Sequence, residues 1–123
     1  MNLVDSSGWL EYLADGKNAD SFLAPLTDVV NLIVPTICIY EVFKVVFREK
    51  GENEALQTVA LMKQGNVIDL SFEISVQAAK FSVEEKIPMA DSIIYTTARI
   101  NKAIIWTQDD DFINLPGVKY FSK

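Results

Sequence analysis

The sequence predicts a single α/β domain with a five-stranded, mostly parallel sheet and helices on both of its faces. Three observations carry that prediction. Short apolar, often β-branched runs alternate along the chain with helix-length amphipathic segments. No linker rich in glycine, serine or proline, no repeat and no low-complexity stretch divides the 123 residues, so residues 1–123 are expected to share one core. Half of the residues are apolar and 23% are charged, the balance of an ordinary globular domain.

Taken in order, Asn2–Val4 is the first expected strand, and Ser6 or Ser7 is the expected cap of a helix from Gly8 to about Ala14. A short helix over Asp20–Leu26 follows, with Asp20 in its first turn. Val29–Val34 is the clearest strand, β-branched apart from Asn31 and Leu32. Pro35 is expected to stop it, and Thr36 to cap a long helix that ends near Lys50 with Gly51 as its stop. Glu52–Gln64 reads as a further helix closed by glycine, Val67–Leu70 as a strand, and Phe72–Lys86 as a helix. Ala90–Asn101 is a helix after Pro88, and Ala103–Trp106 a strand. Asp110–Asn114 makes one helical turn, and Val118–Phe121 is the last strand. Open parallel sheets bind ligands beyond the carboxyl ends of their strands. Asp5 directly follows the first strand and Thr107-Gln108-Asp109 directly follows the fourth.

Composition narrows the chemistry. The chain has no histidine, which excludes Ser–His and Cys–His nucleophile pairs and imidazole-bound zinc. The lone Cys38, between Ile37 and Ile39, excludes an internal disulfide and reads as a small buried apolar residue. Apolar runs fall well short of the roughly 20 residues of a membrane span. The start, Met1-Asn2-Leu3-Val4-Asp5, has no basic leader or cleavage site, so no signal peptide is expected and the cytoplasm is the expected location. The net charge of −6 opposes a nucleic-acid partner at first sight. If Asp5, Glu41, Asp91, Asp109 and Asp111 share one cation-filled site, however, the remainder is within one charge of neutral.

Each of those acids has a plainer alternative. Asp5 also suits a helix N-cap. Glu41 lies in a largely apolar helix, where burial alone would be costly, or else on a solvated strip pairing with Lys44 or Arg48 at i+3 and i+7. Asp91 suits the first turn of its helix electrostatically, yet shares a face with Ile94 and Ala98. Asp109-Asp110-Asp111 is either solvated loop or a strand-end site. Trp9, Tyr12 and Leu13 form an apolar stripe that reads as packing.

Together the acids match a family pattern. Leu3-Val4-Asp5-Ser6-Ser7-Gly8-Trp9, the glutamate of Tyr40-Glu41-Val42, Met89-Ala90-Asp91-Ser92-Ile93-Ile94-Tyr95, and Ile105-Trp106-Thr107-Gln108-Asp109-Asp110-Asp111-Phe112 stand in the order and spacing of PIN domains. The chain resembles in particular the VapC-like toxins of toxin–antitoxin pairs, over essentially its whole length.

The resemblance implies a PIN-like fold in which Asp5, Glu41, Asp91 and Asp109 form a catalytic, metal-holding quartet for Mg²⁺ or Mn²⁺. Asp111 is a further acid at the rim, and because Asp110 extends the run, the fourth main ligand is either Asp109 or Asp111. Ser6 or Ser7, and Thr107, fall where the family places hydroxyls that orient acids. The implied activity is endoribonucleolytic hydrolysis of RNA by metal-activated water. Implied partners are RNA, a small antitoxin protein and a second copy in a homodimer, with no membrane. Lys44 and Arg48 are candidate phosphate contacts, and the apolar helices Thr36–Lys50 and Glu52–Gln64 candidate antitoxin surfaces. Two other readings compete: a PIN nuclease of RNA processing without an antitoxin, and a non-catalytic Mg²⁺-binding α/β module. Against the last, the first strand lacks an adjacent acidic pair.

Overall fold

A computed structural model describes residues 1–123. Five strands, β1 (Asn2–Val4), β2 (Leu32–Pro35), β3 (Asn66–Ile68), β4 (Ile104–Thr107) and β5 (Val118–Tyr120), form one sheet in the order β3-β2-β1-β4-β5. Every pairing is parallel, so the expected α/β sheet is present and is parallel throughout. Six helices connect it: α1 (Ser6–Leu13), α2 (Ala19–Thr27), α3 (Thr36–Lys50), α4 (Glu52–Met62), α5 (Phe72–Glu85) and α6 (Met89–Ile100). The chain steps outward from β1 through β2 to β3 and then returns across the sheet to β4. Right-handed crossovers in opposite directions put α1–α4 on one face and α5–α6 on the other. No helix is long and apolar enough to cross a membrane.

The central strands are buried on both sides, with Leu3, Val4, Leu32, Ile33, Val34 and Ile105 at most 1% exposed. This is why they read as continuous apolar runs rather than alternating ones. Trp9 of α1 and Phe22 of α2 fill the space above β1. Gly8 allows that approach, because a Cβ there would stand 2.6 Å from Val4 Cγ1 and 2.8 Å from Phe22 Cε1. On the opposite face, Tyr95 Oη donates to the Pro116 carbonyl at 2.9 Å and fixes α6 to the β4–β5 connection.

Some boundaries differ from expectation for identifiable reasons. Val29–Asn31 is a 3-10 turn rather than the start of β2. The Asn31 amide donates to both Asp28 carboxylate oxygens, and Asn31 N–H to the Asp28 carbonyl. These local bonds outcompete the strand ladder despite the valines. Pro35 is the last residue of β2 rather than its stop, pairing in register with Ile68 of β3 beyond the end of the β1 pairing. At a strand end its missing N–H disrupts little of the ladder. Thr36 is the first residue of α3 and not its cap. Asp5, not either serine, caps α1.

Candidate metal centre

An all-parallel sheet turns the carboxyl ends of its strands to one edge. At that edge β1 and β4 are neighbours, with Val4 opposite Trp106. The backbone bond from Asp5 N–H to the Trp106 carbonyl, 3.2 Å, brings the residue after β1 beside the end of β4. Thr107 Oγ1 then donates to Asp5 Oδ2 at 2.6 Å. Ser7 Oγ donates to Asp5 Oδ1 at 2.7 Å, and Gly8 N–H donates to the same oxygen at 3.0 Å. Burial pushes the Asp5 carboxyl up to about 6, outweighing the three donors, and the charge of Asp109 adds to the rise.

The other acids of this edge have few donors and more like charge. Asp91, in the first turn of α6, meets Asp109 and Asp111 from the turn after β4. Carboxylate oxygens of these three lie within 4.8 Å of one another. Desolvation raises the Asp91 carboxyl to about 8, followed by a hydrogen bond shared with Asp111 and the charges of Asp109, Asp111 and Asp5. Repulsion of this kind leaves two remedies, a retained proton or a bound cation.

The turn itself is anchored at both ends. Thr107 Oγ1 accepts from Asp109 N–H at 2.9 Å, and Asp109 Oδ1 from Asp111 N–H at 2.9 Å. Phe112, fully buried, pins the far end to the core. Of the three consecutive acids, Asp109 and Asp111 join Asp91, while Asp110 accepts a hydrogen bond from Tyr120 Oη.

Glu41 stands outside the triad. It is half-buried, and Ser6 Oγ donates to its Oε1 at 2.6 Å. It pairs with neither Lys44 nor Arg48: Lys44 Nζ lies 5.8 Å from the Tyr40 ring centroid, and Arg48 lies 3.8 Å from Glu49. The expected pairing with Lys44 or Arg48 is therefore absent. Cys38, fully buried, connects the groups. Its thiol is pushed up mainly by burial, eased by a hydrogen bond with Ser6 and raised again by the charges of Asp5, Glu41 and Asp91. Glu41 is thus tied to α1 through Ser6 and is not one of the three clustered carboxylates.

Two contacts here are not predicted by the sequence pattern. Asn18 Nδ2 donates to Gln108 Oε1 and to the Ser122 carbonyl, each at 3.0 Å, tying the α1–α2 connection to the end of β4. The Tyr120–Asp110 bond is the other. Both join residues separated in the chain by no regular spacing.

The geometry leaves one edge of the sheet with three clustered carboxylates, a buried fourth beside them and a tethered glutamate nearby. The chain matches the PIN domain family over residues 3–118. No match was found among curated protein sequences. Solved structures of similar fold include a toxin–antitoxin complex from Klebsiella pneumoniae, with TM-score 0.86 and 20% identity, covering 100% of each chain. Another is VapC20 of Mycobacterium tuberculosis, described as a toxin that cleaves the sarcin–ricin loop, with TM-score 0.79 and 17% identity over 96% of this chain and 97% of that one. A third is VapBC2 of Rickettsia felis bound to a DNA fragment from its promoter, with TM-score 0.74 and 14% identity over 98% and 97%.

Proposed function

This chain belongs to the PIN-domain family, and from that premise we propose that it is a divalent-metal-dependent endoribonuclease, the toxin of a toxin–antitoxin pair. The observation that carries the reading is the convergence of Asp91, Asp109 and Asp111 within 4.8 Å, beside the buried Asp5. An all-oxygen donor set of this charge fits a hard ion, Mg²⁺ or Mn²⁺. When bound, such an ion neutralises a scissile phosphate and lowers the pKa of an attacking water.

The chain's own residues divide the remaining tasks. Asp91, Asp109 and Asp111 would hold the ion directly. Asp5 and Glu41 complete the acidic set, each oriented by hydroxyls: Thr107 and Ser7 for Asp5, Ser6 for Glu41. No side chain need attack phosphorus. Lys44 and Arg48, exposed on the helix that carries Glu41, supply positive charge for the RNA backbone.

Partners follow from exposed apolar surface. A cavity of about 200 Å³ between α1, α3 and α4, lined by Leu10, Leu13, Val45 and Val46 with Glu49 and Lys50 at its edge, suits an apolar segment of a small antitoxin. Phe72, Val76 and Val83, between 54% and 86% exposed along α5, suit a second copy in a homodimer. The cytoplasm, where RNA is met, is the location that accompanies this reading.

Incubation with labelled structured RNA and Mn²⁺, with and without EDTA, tests the activity. The wild type should cleave only without chelator, and Asp5→Asn and Asp91→Asn should be inactive. Cleavage surviving EDTA, or surviving both substitutions, would overturn the assignment.

A further inference from the structure

We propose that Tyr120 is a positioning residue for the metal centre: its bond to Asp110 keeps the middle carboxylate of the acidic run out of the triad and fixes the turn that presents Asp109 and Asp111. The inference rests on the metal-centre reading above. Three consecutive acids cannot all face one point from so short a turn, and the structure sorts them. Asp109 is fixed from the strand side by Thr107, and Asp111 N–H is capped by Asp109. Asp110, at the outer crest of the 3-10 turn Asp110–Phe112, has Tyr120 Oη as its one side-chain partner.

Tyr120 is well placed to act as a fixed post. It lies on β5 in register with Thr107 of β4, and Phe121 N–H donates to the Thr107 carbonyl at 2.9 Å. The same Thr107 donates to Asp5. One strand pair thus sets both Asp5 and the acidic turn, and the phenol is the only link from that pair to the crest of the turn. Without the link, Asp110 is a free carboxylate next to a cluster that already repels itself, and the turn loses one of its three ties.

Mn²⁺ titration of the full-length protein without RNA, followed by electron paramagnetic resonance of the free ion, tests this. Tyr120→Phe and Asp110→Ala should each weaken binding about three- to tenfold, the worth of one hydrogen bond. The double variant should be no weaker than either single one, because both remove the same bond. Asp110→Asn keeps an acceptor while losing the charge, and should stay within about twofold of wild type. Melting temperatures should fall by no more than a few degrees in all four.

Wild-type affinity in Tyr120→Phe would overturn the proposal while leaving the metal centre standing. So would a loss in Asp110→Asn equal to that in Asp110→Ala, since charge rather than tethering would then be at work. If the wild type binds Mn²⁺ no better than Asp91→Asn, the metal-centre reading itself fails, and this inference with it.

Discussion

Asp5 and Asp91 stand at the same edge of the sheet, yet the fold treats their carboxylates in opposite ways. Asp5 is nearly inaccessible and receives three donors, two hydroxyls and the Gly8 amide. It caps α1 as well, so it is a structural element in its own right. Asp91 is partly exposed and faces two further acids, one of which shares a hydrogen bond with it. One acid has donors supplied by the protein, though burial outweighs them; the other is left facing like charge, which a retained proton or a bound cation relieves. Carboxylate number alone does not separate these two settings; donor count does.

The largest effect expected from that difference is on stability. Asp5→Ala removes the α1 cap and leaves Ser7, Thr107 and the Gly8 amide without their acceptor in a buried setting. The lost cap, which is the Gly8 amide bond, costs about 1 kcal/mol, and each of the two stranded hydroxyls about 1 kcal/mol or more, for roughly 3 kcal/mol in all. Asp91→Ala strands no donor, and by easing repulsion should leave the metal-free protein as stable as wild type or more so. Urea denaturation of both variants in EDTA checks this. Equal losses would erase the distinction between the two acids.

A somewhat smaller effect comes from metal. A ligand that binds only the folded state adds about 2.7 kcal/mol when present at a hundred times its dissociation constant. At that excess Mn²⁺ should therefore raise the melting temperature of the wild type by about 8–16 °C, at roughly 3–6 °C per kcal/mol for this size. In Asp91→Asn the rise should be absent. A rise that persists there would put the ion somewhere other than the triad.

Acidity at this edge was readable in the sequence because Asp5 and Asp109 follow strands directly and Asp91 opens a helix, places set by local pattern. The finer allocation was not readable. Ser6 and Ser7 are adjacent and chemically alike, but the helical turn that begins at Ser6 sends one hydroxyl to Glu41 and the other to Asp5. Asp109 and Asp111 were interchangeable on paper, whereas both enter the cluster once Tyr120, a residue on another strand, removes Asp110. The start of β2 has a related cause. Valine content predicts strand from Val29, and a four-residue exchange of hydrogen bonds between Asp28 and Asn31 makes a 3-10 turn there instead. Periodicity reports which face a residue occupies; it does not report which of two polar neighbours a side chain bonds.

Metal-free stability should also depend on pH, with a sign fixed by the raised carboxyls. Asp5 rises to about 6 and Asp91 to about 8, from an ordinary 3.8. The folded protein therefore binds more protons than the unfolded chain between about pH 4 and 8, and stability falls as pH rises across that window. In EDTA the melting temperature should drop on the order of several degrees from pH 5 to pH 8. Saturating Mn²⁺ should flatten the upper part of the curve, where Asp91 titrates, more than the lower part, where the buried Asp5 does. A melting temperature that climbs with pH in EDTA would mean that neither carboxyl is raised.

The smallest effect tests Glu41, which lies between the two extremes. It has one donor, Ser6 at 2.6 Å, and remains half-exposed. Water can replace the hydroxyl, so Ser6→Ala should cost under about 1 kcal/mol, well below Asp5→Ala. Orientation is another matter, because a carboxylate free to rotate about its side-chain bonds no longer meets the centre in one geometry. Loss of fixed geometry lowers rates far more than it lowers stability. Ser6→Ala should therefore cleave RNA about tenfold more slowly at fixed Mn²⁺ while melting within a few degrees of wild type. If it melts normally and cleaves at the wild-type rate, Glu41 belongs with neither acid, and its bond to Ser6 serves only to join α1 to α3.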